Sequence, residues 1–170
     1  MRCTLQYTLA YVLADVLALG SLSLLQGCSV FDVGAAIYYV GTTEQRQVTA
    51  AMSRYSDSVV LGDHERATTF FDENAELTVE GQQTIVGRTS ILAHLKSVGA
   101  NKVLANDFKQ TSIYVERKGF VQTGTYRQIV VTTQGATTTI EGKFDAEWVK
   151  RPDQGWLMRK LHLSPTMVTN

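Results

Sequence analysis

The last part of the chain alternates apolar and polar residues with a period of two, beginning near Asn106. Short segments that contain glycine interrupt this alternation at residues 118–119, 134–135 and 152–155. A period of two directs successive side chains to opposite faces of a strand, and glycine and proline favour tight turns. The sequence therefore predicts an antiparallel meander of four strands. After the strand that begins near Asn106, the others are predicted over Phe120–Thr133, Thr137–Lys150 and Trp156–Leu163.

A helix is predicted well before the meander, because the apolar residues there recur at helical spacing. The spacing of Thr42 and Gln45 is that of a capping box, in which two side chains satisfy the free backbone N–H groups of a helix start. Gly62 is expected to end this helix, because glycine tolerates a left-handed conformation. The recurring residues are Val48, Met52, Tyr55 and Val59.

Two further helices and one short strand are predicted between this helix and the meander. Asp63 is expected to cap a second helix, which directs Ala67, Phe70 and Phe71 inward. Residues 72–74 are expected to form a turn, and the alternation after it predicts a strand with Ala75, Leu77 and Val79 on its inner side. A third helix is predicted after Gly87, with Ile91, Leu92 and Leu95 as its apolar contacts. Because helices precede a meander, the fold class is α+β.

The first 28 residues have the pattern of a secretory leader: a positive charge at Arg2, an apolar middle, and small residues before a cysteine. The closing residues, Leu24-Leu25-Gln26-Gly27-Cys28, resemble the lipobox of bacterial lipoproteins. This resemblance implies that residues 1–27 are a signal peptide that is cleaved before Cys28, and that Cys28 is acylated. Ser29 follows the cysteine, which by analogy implies an outer-membrane anchor facing the periplasm.

Two alternatives to this interpretation of the leader stay open: a plain secretory signal and a retained transmembrane helix. Asp15 argues against the transmembrane helix, because an acidic side chain near a bilayer centre costs about 2.5–3.5 kcal/mol. The same residue is also unusual in a signal peptide. Two or more acyl chains at Cys28 would anchor the protein durably, since each buried methylene contributes about 0.8 kcal/mol.

The mature chain is expected to form one domain. Residues 28–41 are interpreted as a tether, too short to span a bilayer, residues 42–165 as the domain, and residues 166–170 as a tail. The formal net charge is zero, so no basic surface favours nucleic acid. Both cysteines, Cys3 and Cys28, precede the domain, which excludes an internal disulfide bond and a thiolate metal site in it.

The order of the predicted elements resembles the superfamily of nuclear transport factor 2, which includes SnoaL-like cyclases and ketosteroid isomerases. This resemblance implies a cone-shaped fold in which three N-terminal helices pack on a curved antiparallel sheet around a pocket. Such folds carry several functions, so the fold alone does not fix the activity. The matching residues are Arg54-Tyr55, Gly62-Asp63, Phe71, Ala75, the segment from Gly87 to Leu95, and the hairpin from Trp148 to Trp156.

The isomerase resemblance implies a role for Tyr55 as hydrogen-bond donor to a developing oxyanion, although Tyr55 also fits a packed core position. It places the carboxylate base at Val79, where no carboxylate exists, and alternation directs neighbouring Glu80 to the other face. Asp145 aligns with a second acid, yet alternation places it on the solvent face unless a bulge shifts the register. Whether the chain is an enzyme is left open, and Val79 argues against isomerase chemistry.

The three histidines, His64, His94 and His162, lie in separate predicted elements without the spacing of a ligand pair, so no metal and no cofactor are predicted. We expect a binding module for a small apolar ligand in the cone. One alternative is a SnoaL-like isomerase or cyclase with relocated acid–base groups, and another is an interaction module, such as a homodimer formed through the outer sheet face. The predicted ligand-binding residues are Met52, Tyr55, Phe71, Phe144, Ala146 and Trp148.

Overall fold

The structure is a computed structural model, and it describes residues 42–117 and 119–169. The predicted signal peptide, the lipidation site Cys28 and the tether lie outside the described residues. Among the residues that are described, no helix is both long enough and apolar enough to cross a membrane.

Three helices and six strands make up the described part of the chain. The helices are α1 (Thr43–Val60), α2 (His64–Thr68) and α3 (Arg88–Val98). The strands are β1 (Phe71–Val79), β2 (Ile85–Val86), β3 (Lys102–Glu116), β4 (Gly119–Val131), β5 (Thr137–Arg151) and β6 (Gly155–Thr169).

All six strands belong to one sheet with the order β2-β1-β6-β5-β4-β3. The predicted meander is confirmed, because β3, β4, β5 and β6 pair with one another in sequence order and antiparallel. β1 also pairs antiparallel with β2, but it lies parallel to β6. The sheet is therefore antiparallel except for the parallel pair of β1 and β6, and the α+β class is confirmed.

The capping box at the start of α1 is confirmed. The Thr42 hydroxyl accepts from the backbone N–H of Gln45 at 3.1 Å, and the Gln45 side chain accepts from the backbone N–H of Thr42 at 2.6 Å. Beyond the helix, Gly62 adopts φ +71°, the left-handed conformation expected there. The side chains that α1 buries are Val48, Ala51, Met52, Tyr55, Ser58 and Val59.

The prediction for Phe71 and residues 72–74 was wrong. α2 ends at Thr68, and Phe71 begins β1, which continues through residues 72–74 without the predicted turn. Phe71 lies beside Met158 of β6, and the backbone N–H of Met158 donates to the carbonyl of Phe70 at 2.8 Å. Pairing with a distant strand thus overrides the local turn preference of the sequence, as tertiary context often does.

The strands are also longer than predicted. β3 begins at Lys102 rather than near Asn106, and β6 continues past Leu163 to Thr169, so residues 166–169 extend a strand where a tail was expected. Pro165 obscured this extension, because proline is rare inside strands. It is tolerated here because it lies at a register shift opposite Gly142.

Gly124 and Gly142 lie where the sheet bends. Each is next to a register shift, in β3 opposite Gly124 and in β6 opposite Gly142. A Cβ atom at Gly124 would overlap the carbonyl oxygen of Lys109, and one at Gly142 would overlap that of Ser164. Bulges and glycines of this kind increase the curvature of a sheet. The bend turns one face of the sheet toward α1.

Candidate functional site

The inner face of the sheet, defined as the face that packs on α1, carries the alternate residues of β4 and β5 that are buried. In β5 these include Phe144, Ala146 and Trp148, whereas the flanking Lys143 and the intervening Asp145 are exposed. The predicted alternation of β5 is therefore confirmed. From Phe120 to Tyr126 and from Gly142 to Trp148, every second position faces inward, and none of these inward positions carries a charged side chain.

Tyr55 of α1 lies at the centre of an aromatic cluster. Its ring meets that of Phe71 edge-on at 5.5 Å between centroids and that of Phe70 at 6.5 Å. On the sheet side, the Tyr55 ring is 6.1 Å from Phe108, which packs 5.0 Å from Phe144 and 6.0 Å from Tyr126. Edge-to-face pairs of this kind contribute about 0.5–1.5 kcal/mol each beyond the area that they bury.

All six predicted ligand-binding side chains lie in one buried cluster. Met52 is 2% exposed, Tyr55 5% and Trp148 1%, so these groups form part of the domain core. Phe71 reaches the cluster from β1 rather than from α2. The structure thus brings the six residues together, while their role in binding a ligand stays a prediction.

Sequence reasoning missed Phe108 and Tyr126 as members of the cluster. Tyr126 could have been found, because the period of two in β4 places it on the same face as Phe120. Phe108 gave a weaker signal, because a register shift between Gln110 and Ser112 interrupts the alternation of β3. Phe108 is only half-buried, as is Phe70, and the cluster therefore approaches solvent at β3.

The side chains of Tyr55 and Tyr126 are buried as a whole, and each carries a hydroxyl group that can donate a hydrogen bond. Burial raises the pKa of Tyr55 well above its usual value, and burial also raises the pKa of Tyr126. Both groups therefore stay protonated at neutral pH. A protonated hydroxyl in a water-poor environment is a good donor to a ligand carbonyl or to a developing negative charge.

Neutral amides supply the other polar groups of the inner face. Trp148 donates its indole N–H to Gln122 Oε1 at 3.1 Å, and Gln122 donates to Gln110 Oε1 at 2.9 Å. Thr49 of α1 donates to the same Gln110 oxygen at 2.9 Å. This chain of hydrogen bonds connects the buried indole to the helix without placing a charge in the core.

The structure does not bring the candidate catalytic residues into one site. Val79 pairs with Leu163, and Leu163 pairs with Phe144 of the inner face, so the position that the isomerase resemblance assigns to the base is apolar. Glu80 follows the end of β1 and is exposed. Glu80, the carboxylate next to Val79, therefore does not take over the position that the isomerase resemblance assigns to the base.

Asp145 lies on the outer face of the sheet, opposite to the face that contacts Tyr55, as the alternation predicts. It pairs with Thr123 on one side and with His162 on the other. Partial burial, together with the negative charge of Glu147, raises the pKa of its carboxyl group, while His162 opposes this change. Tyr55 and Asp145 are consequently separated by the sheet and cannot act on one substrate atom.

The histidines lie on three different elements, α2, α3 and β6. Within residues 42–117 and 119–169, no group of three or more histidine, cysteine, aspartate and glutamate side chains could hold a metal ion.

Comparisons with solved structures show the same fold at low sequence identity. An NTF2-like protein with a cystatin-like fold from Novosphingobium aromaticivorans has a TM-score of 0.63 at 16% identity, with 82% of this chain and 92% of that chain covered. A nuclear transport factor 2-like superfamily protein from Salmonella enterica serovar Typhimurium has a TM-score of 0.64 at 19% identity, with 75% and 94% covered. A ketosteroid isomerase-like protein from Erwinia carotovora atroseptica has a TM-score of 0.66 at 12% identity, with 75% and 99% covered.

The sequence comparisons assign the family. A search of curated proteins found no significant match. The family model of the SnoaL-like domain matches residues 42–162, which include all three helices and most of the sheet. The match covers most of the chain and agrees with the observed fold, and this chain therefore belongs to the SnoaL-like domain family, with a nuclear transport factor 2-like fold.

Proposed function

We propose that this protein is a lipid-anchored component of the bacterial cell envelope whose SnoaL-like domain binds a small apolar ligand on the inner face of its sheet. The observation that carries the ligand proposal is the aromatic cluster around Tyr55, whose ring contacts Phe71 and Phe108 and whose hydroxyl group can donate a hydrogen bond. Apolar ligands are usually held by aromatic side chains together with a few polar groups, and the Tyr55 hydroxyl would supply the polar contact to a ligand acceptor.

The composition of the inner face determines the kind of ligand. The inward positions of β4 and β5 described above are neutral, and an ionised ligand would lose its hydration there without an opposite charge to compensate. An uncharged ring system would match the apolar side chains of the aromatic cluster in chemistry. It would reach the cluster beside Phe108, the half-buried ring on β3.

Isomerase-type catalysis has less support. It requires a general base within reach of the substrate proton, and Val79 occupies the position where the isomerase resemblance places that base. The alternative carboxylate, Asp145, faces the other side of the sheet. Tyr55 by itself can polarise a carbonyl but cannot remove a proton from carbon at neutral pH, because it is itself protonated.

The ligand proposal is tested with the chain from Thr42 onward, which contains every described core residue. The uncharged fluorescent probe N-phenyl-1-naphthylamine should gain fluorescence on binding and raise the melting temperature of the domain. Tyr55→Phe should weaken binding by up to about tenfold, the loss expected for one hydrogen bond, for ligands that carry a carbonyl acceptor. Tyr114→Phe removes an exposed hydroxyl and is the matched control.

Two results would contradict the ligand proposal. Absence of binding by the probe and by a panel of uncharged aromatic ketones would remove its basis. Equal affinities of the Tyr55→Phe and Tyr114→Phe variants for every ketone that binds would show that the Tyr55 hydroxyl is not the polar contact.

The anchor proposal rests on the lipobox resemblance at Cys28 and is tested independently. Mass spectrometry of the protein isolated from a bacterial host should give a chain that begins at Cys28 and carries acyl groups. Cys28→Ser should abolish both cleavage and acylation. A wild-type chain that keeps its leader, or carries a free thiol at position 28, would overturn the anchor.

A further inference from the structure

The start of α1 and two of the three hairpin turns of the meander lie at the same end of the domain. The Gln45 side chain of the first turn of α1 donates to the carbonyl of Ile113 at 3.4 Å, near the end of β3. Glu44 forms an ion pair of 2.7 Å with Lys150, near the end of β5. Thr42, where the preceding residues join the domain, is therefore beside both the β3–β4 and the β5–β6 turns.

Residues 114–117, which we call the hairpin tip, expose apolar side chains at this end. Tyr114 is 46% exposed and Val115 is 69% exposed, although both belong to a strand of a well-packed sheet. Arg117 follows in the turn with φ +52° and forms no ion pair with any described residue. The hairpin tip thus combines an aromatic, an aliphatic and a cationic side chain with one exposed carboxylate, that of Glu116.

The two apolar side chains of the hairpin tip point in opposite directions. Val115 is paired with Phe120 and lies on the inner face, whereas Tyr114 is paired with Val121 and lies on the outer face. A protein partner with a flat or grooved surface would cover one of these faces and leave the other exposed. A lipid bilayer, in contrast, surrounds an inserted tip on both sides.

We propose that the hairpin tip inserts into the headgroup region of the membrane that holds the chain. This inference rests on the proposed lipid anchor. Tyrosine is favoured at membrane–water interfaces, and an arginine guanidinium binds phosphate with two parallel hydrogen bonds. Val115 would enter the boundary of the acyl chains while Arg117 contacts lipid phosphates.

Because the tether would hold the domain near the bilayer, even a weak contact between the hairpin tip and lipid would be occupied. Thirteen residues lie between Cys28 and Thr42, so the chain from one to the other spans at most about 50 Å. A short link raises the effective concentration of the second contact to about the millimolar range. The hairpin tip lies at the same end of the domain as Thr42, so it would be an exposed apolar group that this link keeps within reach of the bilayer.

The test places a fluorophore at the hairpin tip of the full chain. The mature domain has no cysteine and Cys28 is acylated in the proposed anchor, so Val115→Cys provides one free thiol for an environment-sensitive label such as NBD. The matched control is Val168→Cys, which is 61% exposed near the end of β6 and pairs with Ile140 at the opposite end of the sheet. Each labelled lipoprotein is reconstituted into vesicles of phosphatidylethanolamine and phosphatidylglycerol, with and without lipids that carry a nitroxide at the headgroup.

The expected result is a blue-shifted emission at position 115 that the nitroxide lipids quench, and a water-like, unquenched emission at position 168. Arg117→Glu should remove most of the blue shift, whereas Arg54→Glu, an exposed charge on α1, should not. Four outcomes would overturn the inference. The first two are a water-like emission from the label at position 115 and equal quenching of the labels at positions 115 and 168. The third is an equal loss of the blue shift in the Arg117→Glu and Arg54→Glu variants. The fourth is a blue shift without quenching, which would mean that protein covers the tip.

Failure of the anchor is distinguishable from failure of the tip contact. A lipoprotein that floats with the vesicles but keeps a water-like label at position 115 overturns only the tip contact. A protein that does not float with the vesicles overturns the anchor and the tip contact together.

Discussion

Gln122 illustrates at the residue scale how this core accommodates polar groups. The side chain is 1% exposed, and its amide accepts from the Trp148 indole and donates to Gln110. Buried polar groups cost little when they are paired and cost the full loss of hydration when they are not. Gln122 therefore stabilises the domain chiefly by satisfying the Trp148 N–H group.

Gln122→Leu should lower the free energy of unfolding by about 1–3 kcal/mol, because it leaves the Trp148 N–H buried without an acceptor. Urea denaturation followed by tryptophan fluorescence measures this change. Gln134→Leu, in the exposed β4–β5 turn, is the control and should change the stability little. Equal stability of the Gln122→Leu and wild-type proteins would show that the Trp148 N–H finds another acceptor.

At the scale of elements, an ion pair joins the start of β1 to the end of β5. Asp72 is buried, and Arg151 donates to it through Nε at 3.1 Å and also through its terminal amino group. The bond from Arg151 holds the pKa of the Asp72 carboxyl group below its usual value. This pair fixes the segment that the sequence predicted to be a turn.

Asp72→Asn should destabilise the domain at neutral pH, and the difference from wild type should shrink under acid conditions. The pKa of Asp72 is lowered in the folded state. The ionised carboxylate therefore stabilises the fold fully above its unfolded-state pKa of about 3.9, and this contribution is lost as the pH falls through the folded-state pKa. Thermal unfolding at pH 7 and at pH 3 measures the difference. Asp153→Asn in the exposed β5–β6 turn is the control, and a pH-independent difference for Asp72→Asn would contradict the assignment.

The elements with local signals were predictable, and those that depend on distant pairing were not. The capping box at Thr42 and the glycine hairpins act through neighbours in sequence, so α1 and the meander followed from the pattern. The extended course of Phe71 depends on Met158, far along the chain. Within the aromatic cluster, helical spacing predicts Tyr55 and strand alternation predicts Phe144. Phe108 was not predicted, because a bulge interrupts the alternation of β3.

The curvature of the whole domain depends on two glycines in neighbouring strands. The rings of Phe144 and Tyr126 lie over Gly124 and Gly142, so a Cβ atom there would come within 2.7 and 2.8 Å of a ring carbon. The same Cβ atoms would overlap the backbone of the next strand, which cannot move without breaking the sheet. The bend therefore requires glycine at both positions.

Gly142→Ala should lower the free energy of unfolding by about 3 kcal/mol, because the added methyl group overpacks the bend. Gly135 lies in an exposed turn with φ +85° and open space around it. Gly135→Ala should therefore lower the free energy of unfolding by only about 1–2 kcal/mol, because alanine disfavours this backbone conformation. Chemical denaturation of both variants tests the comparison. A larger loss for Gly135→Ala would show that backbone conformation, and not the close approach of strands, is what demands glycine.

The position of β6 within the sheet has a consequence for the order in which the polypeptide can fold during synthesis. β6 is the last strand in sequence, yet it lies between β1 and β5, so it joins the earliest strand to the meander. Until the ribosome has released residues 155–169, β1 has no partner on that side and the aromatic core stays open. Such dependence on distant contacts delays folding. The sheet therefore cannot be completed until residues 155–169 have been synthesised, and a stop codon before Gly155 would remove the strand that holds the two halves of the sheet together.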